Sequence, residues 1–360
     1  MPTPYRHRTL QLRHLIREAA IDALLVTSPF DWYYLTGFTG EAGALIVSGN
    51  RTTLVTDGRF TVQAKEELSN VAIVLQKDGL YRTCGELLRK HRQRRVGFDA
   101  DHLTVAQQAM LKKSAGSSVK LQPVRGLVQG LRAIKDSAEL AQMRKAAVLA
   151  DQVVQGAIKL LKPGVRELEV AAEIEYRMRR LGASGPAFES IVAFGERAAL
   201  PHARPTAKRL KKGDLVVLDL GAILGKYCSD ITRTVFVGKA SAKIRTWYSA
   251  VLEAQAAAID AVGAGRTCGE VDAAARGVLA AYHLDQYFVH STGHGLGLEV
   301  HEDPRLAKGQ KTLLASGNVV TIEPGVYVPG VGGIRIEDDV AVLRRGNEVL
   351  TRAPREFIEL

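Results

Sequence analysis

The chain has 360 residues, 46% of them apolar, which is enough for two domains, each with its own core. Its formal charge of +11 raises nucleic acid as a partner, but the basic runs RKHRQRR (Arg89–Arg95) and KRLKK (Lys208–Lys212) have no aromatic interleaving and no groove-reading motif, so both read as solvated faces. No apolar run approaches the roughly 20 residues that cross a bilayer, and the opening MPTPYRHRTLQLRHL does not read as a secretory signal, so a cytoplasmic protein without a membrane partner is expected.

In chain order, IDALLVTS reads as a strand, GALIVSG and TTLVTDG as a hairpin turning at Gly49 and Asn50, and FTVQAKEELS as a helix. VAIVLQ and RVGFDA add strands. This mixture predicts an α/β domain over 1–126, ending where LQPVRG interrupts the pattern, and a second domain over 127–360. Asp136, with Glu139 three residues on, opens a helix as a capping box; Pro163-Gly164 stops it, and ELEVAAEIEYRMRRLG continues as a second helix. Strand IVAFG leads to the segment LVVLDLGAILGKYCSDITRT. The order then repeats: a helix from Ala242 to Val262, a helix through EVDAAARGVLAAYHL, and another strand pair. The matching landmarks recur about 100 residues apart, which predicts two similar halves in one pseudo-symmetric domain. If their strands curve into one sheet backed by four helices, the concave face between the halves is the place for a site.

That repeat sets four acids in matched positions. Asp219 ends an apolar strand and Asp230 precedes another; Glu323 in VVTIEPGVYV and Glu337 in GGIRIEDDVAVL repeat the arrangement. A buried carboxylate without a partner is disfavoured by several kcal/mol, so cations must sit among them. Between the two hairpins, HSTGHGLGLEVHE supplies His290, His294 and His301, spaced by glycines that allow close backbone approach. Carboxylates with one imidazole suit manganese first, with cobalt or zinc as alternatives, and four negative charges balance two such ions. The reading is a two-metal hydrolytic centre. Cys228 is close to Asp230 but is a soft thiol in an oxygen-rich set, and the three cysteines have no ligand spacing, as suits a reducing compartment.

These segments resemble the Xaa-Pro peptidases, aminopeptidase P and prolidase, of the pita-bread fold. The resemblance runs through YLTGFTGEAGALIV, LVTDGRFTVQA, LRAIKDSAEL, LPHARPT, LDLGAILGKYCSDITRT, HSTGHGLGLEVHE, TIEPGVYV and GGIRIEDDVAV, and so covers nearly the whole chain. It implies an α/β amino-terminal domain and an α+β pita-bread catalytic domain. It further implies that Asp230 and Glu337 bridge two divalent ions, that Asp219 completes one shell, and that His294 and Glu323 complete the other. A hydroxide between the ions would be the nucleophile, with Glu323 moving the proton to the leaving nitrogen. His202 would stabilise the oxyanion, His301 would hydrogen-bond the substrate or intermediate, His290 would contact the residue after the scissile bond, and Arg335 would orient Glu337. A homodimer is implied, because the amino-terminal domain helps wall the site in that family. Arg197 stands in GERAALPH where many relatives carry Asn, which bears on the pocket at the substrate's amino end. The expected activity is cleavage of a proline-containing peptide between the first residue and proline. Proline suits a specialist because its amide has no N–H for an ordinary peptidase to grip.

The readings set aside are a non-catalytic peptide- or histone-binding module, which would have lost ligands, a creatinase-like amidinohydrolase, which lacks the metal set, and a methionine aminopeptidase, which has no equivalent of the first 125 or so residues. Between aminopeptidase and dipeptidase, the short turn VPGVGG favours the aminopeptidase, since it has no arginine to hold a dipeptide's carboxylate. Xaa-Pro dipeptidase is the alternative, because some dipeptidases share that short turn.

Overall fold

The alternating runs of the first third form one mixed sheet. In the computed structural model, which describes residues 4–360, the chain divides into two units between Arg132 and Ala133. The first contains helices α1 (Pro4–Glu18), α2 (Pro29–Thr36), α3 (Thr61–Glu67), α4 (Leu80–Lys90) and α5 (Val105–Ala115), and α6 (Leu127–Ala133) runs to the division. Its strands are β1 (Ala23–Val26), β2 (Ala44–Ser48), β3 (Thr52–Thr56), β4 (Ala72–Leu75), β5 (Arg95–Asp99) and β6 (Lys120–Val124), in the order β4-β3-β2-β1-β5-β6. The hairpin at Gly49 and Asn50 is β2–β3, with Val47 opposite Thr52. Arg89 and Lys90 fall in the last turn of α4, where positive charge complements the helix dipole.

The division lies six residues beyond the sequence-based boundary, for two physical reasons. LQPVRG does not leave the sheet: β6 is an edge strand, where Pro123 is tolerated because its missing N–H interrupts no ladder. The following α6 is tied to the same unit by Arg132, which donates to Asp31 at 2.7 Å with both side chains buried.

The second unit begins with α7 (Ser137–Ile158) and α8 (Glu167–Arg180), followed by β7 (Gly185–Pro186), β8 (Ile191–Phe194), β9 (Leu215–Leu220), β10 (Ala222–Leu224), β11 (Tyr227–Cys228) and β12 (Ile231–Phe236). The second half runs α9 (Ala242–Ala261), α10 (Cys268–Ala281), β13 (Gly293–Gly295), β14 (Glu302–Leu306), β15 (Val319–Ile322), β16 (Gly325–Val328), β17 (Gly332–Arg335), β18 (Asp338–Val342) and β19 (Asn347–Val349), and β20 (Ile358–Glu359) closes the chain. The Asp136 capping box forms as expected, with the carboxylate accepting from the Ala138 and Glu139 amides.

The internal repeat is visible bond by bond. Gly164 N donates to Leu210 O and Gly265 N to Leu314 O, both at 2.8 Å. Asp214 Oδ2 accepts from Lys211 N at 2.8 Å, and Asn318 Oδ1 takes the same place with Ala315 N at 2.7 Å. Each half has its own core. Val153, Val154, Ile174 and Met178 of α7 and α8 pack with Val216, Leu218 and Ile231, and Val251, Ala254, Val271 and Ala275 of α9 and α10 pack with Val320, Ile322 and Val340.

The strands do not make one continuous sheet. They form four- and five-stranded sheets, ordered β20-β12-β9-β8 and β14-β13-β15-β18-β19, with β11-β10-β7 and β16-β17 as smaller pieces. The second hairpin is interrupted on both arms, between Ile322 and Gly325 and between Arg335 and Asp338. Pro324 lies in the first gap and has no amide hydrogen for a ladder. Freed there, the chain turns to the first half: Glu337 N donates to Thr232 O at 3.2 Å, and Thr234 Oγ1 both donates to Arg335 O and accepts from Arg335 N.

Candidate metal centre

Two of the four acids lie on or beside regular strands and two in strand interruptions. Asp219 is the fifth residue of β9, in register with Thr232, and Asp230 lies just before β12. Glu323 occupies the gap between β15 and β16, and Glu337 the gap between β17 and β18. His294 is the middle residue of β13, flanked by two glycines at a register shift. Those glycines are required by close approach: a Cβ on Gly293 would sit 1.8 Å from Thr321 O, and one on Gly295 2.2 Å from Asp303 O.

Asp230, His294 and Glu337 each offer a ligand atom, and the three atoms lie within 4.8 Å of one another. His294 Nε2 is 3.9 Å from Asp230 Oδ2 and 3.6 Å from Glu323 Oε1. Its Nδ1 is 3.0 Å from Gly295 O, so the proton belongs on Nδ1 and the Nε2 lone pair faces the acids. Burial lowers the imidazole's pKa to about 4, which favours the neutral form a metal requires. The acids move the other way. Burial, then Glu337, Asp219, Asp339 and Glu323, hold Asp230 well above the usual carboxylate range. Glu337 is raised by burial and by Glu323 and Asp219, and burial lifts Glu323 to about 8. Asp219 Oδ1 and Asp230 Oδ1 are buried without a hydrogen-bond partner. Unshared oxygens, mutual repulsion and a correctly oriented imidazole fit hard or borderline divalent cations.

Against known families, residues 141–344 match metallopeptidase family M24 and residues 8–134 match the creatinase/prolidase N-terminal domain. The chain belongs to metallopeptidase family M24. It is 39% identical to an Xaa-Pro dipeptidase of Pyrococcus furiosus over 98% of this chain and 100% of that one. Among solved structures it resembles an Xaa-Pro dipeptidase from Bacillus anthracis (TM-score 0.96, 40% identity, covering 99% of this chain and 100% of that one). It also resembles an X-Pro aminopeptidase from Thermotoga maritima (TM-score 0.88, 34% identity, 96% and 99%). The pita-bread fold and the Xaa-Pro peptidase resemblance read from the motifs both hold, and the match over 8–134 separates this M24 chain from a peptidase lacking that domain. Among the described residues no helix is long and apolar enough to cross a membrane.

Within this cluster, Arg335 is a hub that ties the acids together. Its guanidinium donates to Asp219 Oδ2, to Thr232 Oγ1 at 3.1 Å and to the Tyr327 hydroxyl at 2.6 Å. Thr232 Oγ1 then donates to Glu337 Oε2 at 2.6 Å, so Arg335 reaches Glu337 through the threonine. His290 is engaged at both nitrogens, with Nδ1 2.8 Å from Ser291 O and Nε2 2.8 Å from the Tyr327 hydroxyl. A substrate contact would use its ring face or displace that hydroxyl. His301 is exposed and packs edge-on to His294, with ring centroids 4.4 Å apart. His202 is exposed in the loop before β9, near both His290 and His301.

Sequence reasoning missed Thr232, Tyr327 and Asp339, whose Oδ2 accepts from Asp230 N at 3.1 Å. The period-two pattern of β12 contained the signal for Thr232, since a threonine opposite Asp219 on a buried strand must spend its hydroxyl on a neighbour.

Proposed function

We propose that this chain is a metal-dependent Xaa-Pro dipeptidase that hydrolyses the bond between an amino-terminal residue and a carboxyl-terminal proline. The hydrolytic part of the reading rests on the meeting of Asp230, His294 and Glu337 beside Glu323. The dipeptide part rests on full-length likeness to proteins named Xaa-Pro dipeptidase at 39–40% identity. This reverses the preference drawn from the short turn between β16 and β17. A turn without arginine removes one way of holding a dipeptide's carboxylate and leaves other ways open.

In this proposal Asp230 and Glu337 would hold both ions, Asp219 one, and His294 with Glu323 the other; manganese is the first choice. When bound, such ions supply Lewis acidity and an acidified water near neutral pH. The chain's own groups do the rest. Glu323 would carry a proton to the prolyl nitrogen, which must be protonated to leave. His202 and His301 would donate to the developing oxyanion and the substrate backbone. Arg335 would fix Asp219 directly and Glu337 through Thr232, so that neither rotates away when a cation binds.

The deciding measurement is kcat/KM for Ala-Pro beside Ala-Pro-Ala with manganese present. The dipeptide should be preferred by more than about tenfold, or roughly 1.4 kcal/mol of transition-state binding. Equal rates, or a faster tripeptide, would return the assignment to aminopeptidase. A homodimer belongs to the same proposal; sedimentation at micromolar concentration should give twice the chain mass, and a fully active monomer would reject it.

A further inference from the structure

Glu167 is a fully buried carboxylate with no part in the chemistry above. It opens α8, and its donors all come from one segment, residues 194–206. Oε1 accepts from Phe194 N at 2.9 Å, Oε2 from Thr206 N at 2.8 Å and Thr206 Oγ1 at 2.6 Å, and Arg197 Nε lies 3.1 Å from both oxygens. Arg197 also donates to Arg204 O at 2.5 Å, closing the segment on itself. The opposite side of the loop rests on the strand that carries Arg335. Ala198 O is so close to Gly333 that a Cβ there would lie 2.1 Å away, and Pro201 O accepts from Arg335 at 3.3 Å. Between these two anchors stands His202.

We propose that Glu167 and Arg197 are positioning residues that hold in place the loop carrying His202, an inference that rests on His202 acting as a donor to the substrate. A charge buried this deeply needs several donors wherever it is, so an ion pair serving only the fold is the competing account. The arrangement argues for the loop. Glu167 gathers both ends of a single turn, and Arg197 is the only side chain in it that spans from that carboxylate to the far limb at Arg204. A donor displaced by an ångström loses much of its hold on a transition state.

The test is a double-mutant cycle on kcat and KM for Ala-Pro, with bound metal counted in every variant. Arg197→Ala leaves Glu167 its three remaining donors and should fold. It should lower kcat about tenfold, with KM and metal content nearly unchanged. Arg197→Lys, which can reach one carboxylate oxygen, should recover part of the loss. In a His202→Ala background the same substitution should have no further effect, because the group it positions is gone. Thr206→Val, which removes the hydroxyl bond at the other end of the loop, should show the same dependence. Equal losses in both backgrounds, or no loss in the native background, would overturn the proposal while leaving His202 in place. Full kcat in His202→Ala would overturn both the positioning role and the reading of His202.

Discussion

Asp230→Ala and Glu337→Ala are each expected to purify without tightly bound divalent metal and to lose Xaa-Pro hydrolysis by on the order of 10³-fold or more. Each acid is proposed to hold both ions, so deleting either removes a shared oxygen pair and leaves two incomplete shells. Asp219→Ala should behave differently. One of its oxygens is already committed to Arg335, so it has less to offer a cation, and its loss should weaken mainly one ion. His294→Ala should lose metal because its Nε2 faces Asp230 and Glu323, whereas His301→Ala, which only packs against His294, should retain it. Metal counting by elemental mass spectrometry on all five variants reads this pattern. Two ions still bound in Asp230→Ala would end the shared-ligand assignment. Metal lost from His301→Ala and kept in His294→Ala would mean that the ligand and the donor had been exchanged.

The acids were legible in sequence because a carboxylate at the end of a buried strand has no inexpensive explanation, and the internal repeat showed the same oddity twice. His294 was legible through its glycines, which the structure requires for contacts no Cβ could survive. What sequence did not disclose follows from how the strands bend. The interruptions at Glu323-Pro324 and Ile336-Glu337 turn an expected hairpin into two short ladders, and only that bend lays Arg335 beside Asp219, more than a hundred residues away. The link from Arg335 through Thr232 to Glu337 depends on register between the two halves, which alternation in a single strand cannot specify. The division between the units falls a few residues past the expected boundary for a simpler reason: a proline usually marks the end of a strand, and here it lies on a sheet edge where nothing needed its hydrogen.

Arg233→Met should destabilise the second unit by roughly 3–5 kcal/mol, about 10 °C or more in melting temperature for a unit of this size. Arg233 follows Thr232 on β12 and points to the opposite side, away from the acids, with its guanidinium buried. Its nitrogens donate to Pro354 O at 2.9 Å, Thr232 O at 2.9 Å, and Glu337 O and Ala353 O at 2.6 Å, and to Asp338 Oδ1 at 2.8 Å. Asp338 in turn accepts from Thr351, Gln255 and Arg355. This network joins β12, β18 and the closing segment directly behind Glu337. Methionine fills much of the same volume, so the loss is not a cavity; Pro354 O, Glu337 O and Ala353 O lose the guanidinium in a place water does not reach, while Thr232 O keeps only Glu337 N and Asp338 loses one of its four donors. Arg355→Met removes a half-buried partner from the same carboxylate and should remove only about 1 kcal/mol. The comparison belongs in chelator-treated protein, because bound metal stabilises the folded state by mass action and would mix the two effects. An Arg233→Met melting temperature within a few degrees of the native value there would show that the buried guanidinium is replaceable and that the acids are held in place from the Arg335 side alone.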